Sequence, residues 1–238
     1  MNIYATEKSQ HYLAQVSTFI NEKVLPIETE LLNQNRKLNH NSDWTQWQLI
    51  PQIEALKEQA KASGLWNLFL PDATYGQGLT CVEYAPLAEE MGRSMLAPEI
   101  FNCNAPDTGN MEVLYHFGDE HQQSQWLTPL LNGEIRSVFA MTEPDVASSD
   151  ATNMQATIID DGDDVIINGR KWWSTGLGHP KSKVMIFMGL SHPDAPKHQR
   201  HSMVLVPMNT PGVNIKRMLT AYSDYDAPYG HGEMELIN

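Results

Sequence analysis

The sequence predicts an α+β chain in which an N-terminal all-helical domain is followed by an antiparallel β-barrel or sandwich. Two patterns carry that expectation. Up to about residue 134, apolar side chains recur at spacings of three and four, the period of a helix that buries one face. After Glu134 the period falls to two, and short apolar runs alternate with polar ones as in half-buried strands. The expected domains are residues 1–134 and 135–238, and a chain of 238 residues is long enough to bury a core in each.

The helices follow in order. Tyr12, Val16, Phe19, Ile20, Val24 and Ile27 form one apolar face, with Pro26 expected to kink or end the helix. A second helix is predicted from Pro51, a residue suited to the first turn, to Ser63, with Gly64 as its stop. Leu68 to Pro71 leads into a loop over 72–79. Thr80 is a good N-cap for a helix through Met91 that Gly92 closes. Two more helices are predicted over 107–117 and 119–131, before a turn at Asn132-Gly133.

The strands begin with the apolar run Ser137 to Met141. Met154, Ala156 and Ile158 alternate, as do Val165 and Ile167, and Asp160-Asp161-Gly162-Asp163 joins them as a hairpin turn. Further strands are predicted over 184–190, 203–206 and 213–218, with an exposed loop from Leu190 to His201. Gly230 to Asn238 alternates like a strand with nothing after it. A terminal strand of that kind leaves an open edge, so a truncated chain or fragment is expected.

Composition narrows the function classes. The hydrophobic fraction is 41% and the charged fraction 19%, as in soluble globular proteins. The net charge of −13 argues against nucleic acid or an anionic membrane as partner. The acid is uneven: seven basic and seventeen acidic side chains up to residue 135, then nine and twelve. An anionic ligand therefore meets less repulsion from the second half. Cys81 and Cys103 are the only cysteines and read as free thiols. No Cys or His spacing suits a metal, so no metal site is expected. The start has neither a secretory nor a transit pattern, and no window is long and apolar enough to span a bilayer. A cytoplasmic protein without membrane insertion is expected.

Two polar loops stand out. The first follows a strand and reads Phe139-Ala140-Met141-Thr142-Glu143-Pro144-Asp145, continuing to Ser148-Ser149-Asp150. Its hydroxyls and amides suit a ligand's polar edge; the same residues also make an ordinary capped turn. The second reads Gly169-Arg170-Lys171-Trp172-Trp173-Ser174-Thr175. Adjacent residues of a strand face opposite sides, so one tryptophan can enter the core while the other meets a ligand ring; both can equally be core or interface residues. Gly76-Gln77-Gly78 lacks a βαβ setting and reads as a turn. Glu89-Glu90 reads as a solvated face, and the aspartates at 160–164 read as a solvated hairpin.

At these loops the sequence resembles the acyl-CoA dehydrogenase family. The family's Thr-Glu-Pro loop running to Ser-Asp is matched by Thr142-Glu143-Pro144 through Ser149-Asp150. Its Asn-Gly-x-Lys-x-Trp-x-Thr strand is matched by Asn168 to Thr175. Tyr75 to Gly78 and Leu87 to Arg93 look like its N-terminal domain, and details at 105–112 and 207–212 look most like its long-chain-type branch, which in animals can be fused to a phosphotransferase-like domain.

The resemblance implies three family domains, of which the C-terminal helical bundle is absent here. It also implies FAD, an acyl-CoA substrate, dehydrogenation at the α and β carbons in fatty-acid β-oxidation, an electron-transferring flavoprotein as acceptor, and a homodimer or homotetramer. Carried over, Phe139, Met141 and Thr142 would meet the flavin edge, Trp173 would flank the ring beside Ser174, and Thr175 would offer its hydroxyl near N5. Ser149 would reach the junction of FAD and the CoA arm. One extra residue before Ser-Asp leaves Ser148 and Ser149 interchangeable in that role. The catalytic base of most relatives lies in the absent bundle, so no base is named and the chain alone is expected to be inactive. An acyl-CoA oxidase or flavin monooxygenase on the same scaffold, or a non-catalytic binding or assembly subunit, are the alternatives.

Overall fold

A computed structural model of the chain describes residues 6–238; residues 1–5, part of the N-terminal stretch read above for a leader, lie outside the described residues. The chain divides into two compact units. One contains the chain up to Leu38 together with Leu49–Gly133, and the other contains Asn39–Gln48 and Glu134–Asn238.

The first unit is helical. Helix α1 (Glu7–Phe19) starts on Thr6, whose side chain accepts from Ser9 N–H. It runs through a π-helical turn (Ile20–Val24) into α2 (Leu25–Leu38). Pro26 therefore does not end the helix. The wide turn just before it, closed by Leu25 N–H on the Ile20 carbonyl, gives room for a residue that lacks an N–H and crowds the preceding turn. Helix α3 (Pro51–Ala62) ends before Gly64, whose φ of +71° suits glycine. Helix α4 (Cys81–Met91) opens with a capping box in which Thr80 and Glu83 satisfy each other's backbone N–H groups. A short helix absent from the sequence reading, α5 (Ala97–Ile100), precedes α6 (Asp107–Phe117). The predicted last helix is broken into α7 (Glu120–Gln122), a π-helical turn (Gln123–Leu127) and α8 (Thr128–Leu131). The core of this unit gathers Val16, Ile20, Leu68, Leu87, Ile100 and Phe101, all without appreciable exposure.

The second unit is a seven-stranded sheet: β1 (Arg136–Ala140), β2 (Thr157–Asp161), β3 (Asp164–Thr175), β4 (Ser182–Leu190), β5 (His201–Pro207), β6 (Val213–Leu219) and β7 (His231–Leu236). The strand order is β1-β4-β2-β3-β7-β6, with β5 on β4. The sheet is mixed and not wholly antiparallel as expected: β1 runs parallel to β4, and β2 meets β4 in parallel at one residue pair. Period-two alternation reports which face is buried and says nothing of a neighbour's direction. Strand β7 is not an edge. It pairs with β3 on one side and β6 on the other, so the open edge expected at the last strand does not exist and the inference of truncation drawn from it lapses. The core holds Val138, Ala140, Met185, Phe187, Met234 and Leu236, and Trp47 from the segment between α2 and α3 joins it. Trp47 packs where a side chain at Gly178 or Gly230 would collide with its ring.

One charge is sealed inside this unit. Lys171 on β3 has no exposed surface, and its ammonium donates to the Met141 carbonyl (2.8 Å), the Met188 carbonyl (2.7 Å) and Glu143 Oε1 (2.8 Å). It also lies 4.9 Å from the centre of the Phe187 ring. Burial pushes the Lys171 pKa down, and Glu143 opposes that shift. Removing one member of such a pair leaves the other charged and dry. Lys171→Met is expected to cost about 3–5 kcal/mol in urea unfolding, and adding Glu143→Gln to recover about 1–2 kcal/mol. A single variant as stable as the wild type, or a double variant worse than it, contradicts this account.

Candidate functional site

The first loop leaves the end of β1. Phe139 is half-buried on β1 and Ala140 is in the core. The next two carbonyls are committed to the second loop's strand: Met141 accepts from Lys171, and Thr142 accepts from the backbone N–H of Trp172 at 3.0 Å. The structure therefore brings the two loops together. Glu143 then turns inward, 5% exposed, and accepts from Gln155 N–H (2.8 Å) and Ala156 N–H (2.9 Å) as well as from Lys171. Ser148 is buried and closes the loop: its hydroxyl accepts from Glu143 N–H (3.1 Å) and donates to the Glu143 carbonyl (3.3 Å). Ser149 is exposed. Asp150 caps the turn at 151–153 through Thr152, whose hydrogen bonds hold its carboxyl down at about 2.

The second loop is the latter half of β3. Strand β3 pairs with β2 up to Asn168 and with β7 from Gly169 onward. Gly169, at φ +155°, stands where any Cβ would overlap the Ala156 side chain and lie 2.8 Å from its Cα. The Asn-Gly of the sequence motif is thus a close crossing of backbone over backbone. Between Lys171 and Ser174 the register with β7 slips. Trp173 sits in that bulge at φ +51°, a conformation that bulky residues rarely adopt. The bulge undoes the expected alternation of the tryptophans. Trp172 is half-buried, Trp173 is 41% exposed, and their rings meet edge to face at 6.3 Å; neither belongs to the core, where Lys171 occupies the buried position.

Past the bulge, Ser174 is 1% exposed and its hydroxyl has no hydrogen-bond partner. A buried orphan hydroxyl is costly enough to call for an explanation such as a ligand. Thr175 lies opposite His231 on β7, with Oγ1 2.9 Å from Nδ1. Trp173 also contacts this imidazole, at 5.9 Å between ring centres. His231, Glu233 and Glu235 alternate with core residues along β7 and so share its outer face. Glu233 is nearly buried there between Arg170 (Nε–Oε1 2.7 Å) and Arg217 (Nε–Oε2 2.7 Å), and Arg217 first, then Arg170, hold its carboxyl below the usual range.

The sequence reading gave no role to Lys171 and Glu143, the buried anchors, or to His231 beside Thr175 and Asp226 beside His231. For His231, the alternation of the last strand was a usable signal, because it set His231 and Glu233 on the side away from Met234. The assembled groups are an aromatic face, an orphan hydroxyl, a strand-end hydroxyl and a loop whose geometry is fixed from beneath. They suit the holding of a flat ring with polar edges. The two buried carboxylates of the site, Glu143 and Glu233, are held by cations and give no free base.

Known proteins share this arrangement of sequence and fold. The family profile described as acyl-CoA dehydrogenase, N-terminal domain, matches residues 6–134, and that described as acyl-CoA dehydrogenase, middle domain, matches residues 138–237. Acyl-CoA dehydrogenase family member 10 of Mus musculus is 52% identical over 227 residues, covering 93% of this chain and 21% of the mouse protein. A solved structure of a Mycobacterium abscessus protein assigned to the acyl-CoA dehydrogenases superposes with a TM-score of 0.93 at 54% identity, over 98% of this chain and 58% of that one. A glutaryl-CoA dehydrogenase of Mycobacterium smegmatis, solved in complex with FADH2, shares the fold at a TM-score of 0.71 and 22% identity, over 99% of this chain and 54% of that one. The chain thus spans a fifth to somewhat over half of these proteins' lengths, and across that span it belongs to the acyl-CoA dehydrogenase family.

Proposed function

We propose that residues 1–134 and 135–238 are the N-terminal and middle domains of an FAD-dependent acyl-CoA dehydrogenase. The observation that carries this reading is the joining of the two loops: Lys171 and the Trp172 N–H grip the carbonyls of Met141 and Thr142, so one loop's hydroxyls and the other's aromatic face serve a single site. Family membership supports it, and the strained, exposed Trp173 fits a bound ring.

In this reading Phe139, Met141 and Thr142 meet the polar edge of the isoalloxazine. Trp173 covers its flank beside the buried Ser174, and Thr175 presents its hydroxyl to N5. Ser148 is spent on closing the loop, which leaves Ser149 to reach the junction of FAD and the CoA arm. When bound, FAD supplies the hydride acceptor for the β-hydrogen of an acyl-CoA thioester, whose α-proton a base removes. The residues of this chain hold and orient, keep water from the ring's flank and tune it through hydrogen bonds. The proposed partners are a medium-to-long acyl-CoA, an electron-transferring flavoprotein and a second copy of the subunit, in the cytoplasm.

The protein as its gene encodes it is expected to purify yellow and to lose its flavin absorbance when an acyl-CoA is added without oxygen, passing electrons to an artificial acceptor. A preparation that stays colourless after incubation with FAD would sink the reading, and peroxide release in air would point to an oxidase. Trp173→Ala is expected to weaken FAD binding about tenfold, the ~1–1.5 kcal/mol of a lost aromatic contact. Because the side chain lies outside the core, its melting temperature should stay near the wild-type value. Equal FAD affinity in a fluorescence titration would remove Trp173 from the site.

A further inference from the structure

Thr175 does not stand alone on its strand end. Its Oγ1 lies 2.9 Å from Nδ1 of His231, and the other ring nitrogen, Nε2, lies 3.3 Å from Oδ2 of Asp226. An ionised carboxylate at that distance favours the tautomer with a proton on Nε2 and a bare Nδ1. In the neutral ring Nδ1 is bare, and Thr175 donates its O–H to it. In the imidazolium Nδ1 carries a proton and donates to Thr175 Oγ1, and the hydroxyl's own proton is released to another acceptor. One uptake of a proton from solvent, by a side chain 22% exposed, turns Thr175 from acceptor to donor toward a ligand.

The surroundings hold this chain of three in place. Trp173 packs on the imidazole with the ring planes 47° apart. Asp226 has φ +54° in a loop where Tyr222 (+51°) and Ser223 (+68°) are also left-handed. Its carbonyl accepts from Tyr229 and Gly230 N–H at 3.1 and 3.0 Å, and its own N–H donates to Asp224 Oδ1 at 3.2 Å. The other charges on the same outer face answer each other. Glu233 is held by Arg170 and Arg217, and Glu235 by Lys216, so the carboxylate in contact with His231 is that of Asp226.

We infer that His231 is a positioning residue of the flavin site, which decides whether Thr175 donates or accepts the hydrogen bond at the ring nitrogen beside it. The inference rests on the FAD reading given above. A bare N5, as in the oxidised ring, is matched by the donor state with His231 protonated. An N5 that bears hydrogen is matched by the acceptor state with His231 neutral. Asp226 keeps the proton on Nε2 in both.

The test uses the oxidised, FAD-loaded protein. Its visible spectrum is expected to show a one-proton transition with pH. The transition should be lost in His231→Asn, which cannot titrate, and in Thr175→Val, which has no hydroxyl. In the FAD-free protein, nitrogen shifts of the His231 ring at high pH should report the Nε2–H tautomer, and Asp226→Asn should shift the balance toward Nδ1–H. A wild-type protein that takes up no FAD overturns both readings. One that takes up FAD but has a pH-flat spectrum, keeps the transition in His231→Asn, or carries the Nδ1–H tautomer overturns this one alone.

Discussion

A lysine ammonium with no access to water governs the second unit. Lys171 must find partners for its protons inside the protein, and it takes them from three places: the residue after β1, the loop carboxylate Glu143, and the Met188 carbonyl of β4. Glu143 in turn accepts the N–H groups of Gln155 and Ala156, the residues leading into β2. The start of the loop, its exit and the central strands are thus tied to one buried ion pair. Such a pair contributes little net stability compared with a well-packed apolar substitute, because both ions lose their hydration. What it supplies is definition. A polar loop that water would let drift is fixed to the sheet by four strong hydrogen bonds.

The bulge follows from the same constraint. Lys171 points inward, and strict alternation would then send Trp172 outward and Trp173 back into the core. The register slip before Ser174 breaks that sequence, at the cost of a left-handed Trp173. Trp173 therefore stands on the outer face beside His231, while Ser174 goes under with its hydroxyl unpaired. Strain, an exposed indole and an orphan hydroxyl occupy consecutive residues. Each is unfavourable in the isolated chain, and of the three only the indole stands where a ligand could reach it.

The sequence exposed the local devices and hid the nonlocal ones. Thr80 announced α4, Gly162 the β2–β3 turn and Gly64 the end of α3, because each is satisfied by residues a few positions away. The partners of a strand are not local. Nothing in the alternation of Val138 or Met185 says that β1 and β4 run parallel, or that the last strand lies between two others. Pro26 read as a break because the π-helical turn that accommodates it has no composition of its own. Within the site, the two loops that the structure brings together were legible as polar chemistry. Lys171 was not: in Gly-Arg-Lys-Trp-Trp a lysine reads as a solvated neighbour of aromatics, and its burial depends on Glu143, 28 residues earlier.

The pairing of charges divides holding from reacting. A base that removes a proton from carbon needs a lone pair free of stronger claims and a carboxyl able to gain a proton near neutral pH. Glu143 spends both oxygens on Lys171 and two backbone amides, and Glu233 lies between two guanidinium groups that keep it ionised. Taking Glu143 as the base would leave Lys171 without a counter-charge in a dry place, and taking Glu233 would strip Arg170 and Arg217 of the carboxylate between them. Glu143 and Glu233 are committed to geometry, and the hydroxyls and aromatic ring near them are what remain for a ligand. In the FAD reading proposed above, the second unit orients and the bound ring supplies the chemistry.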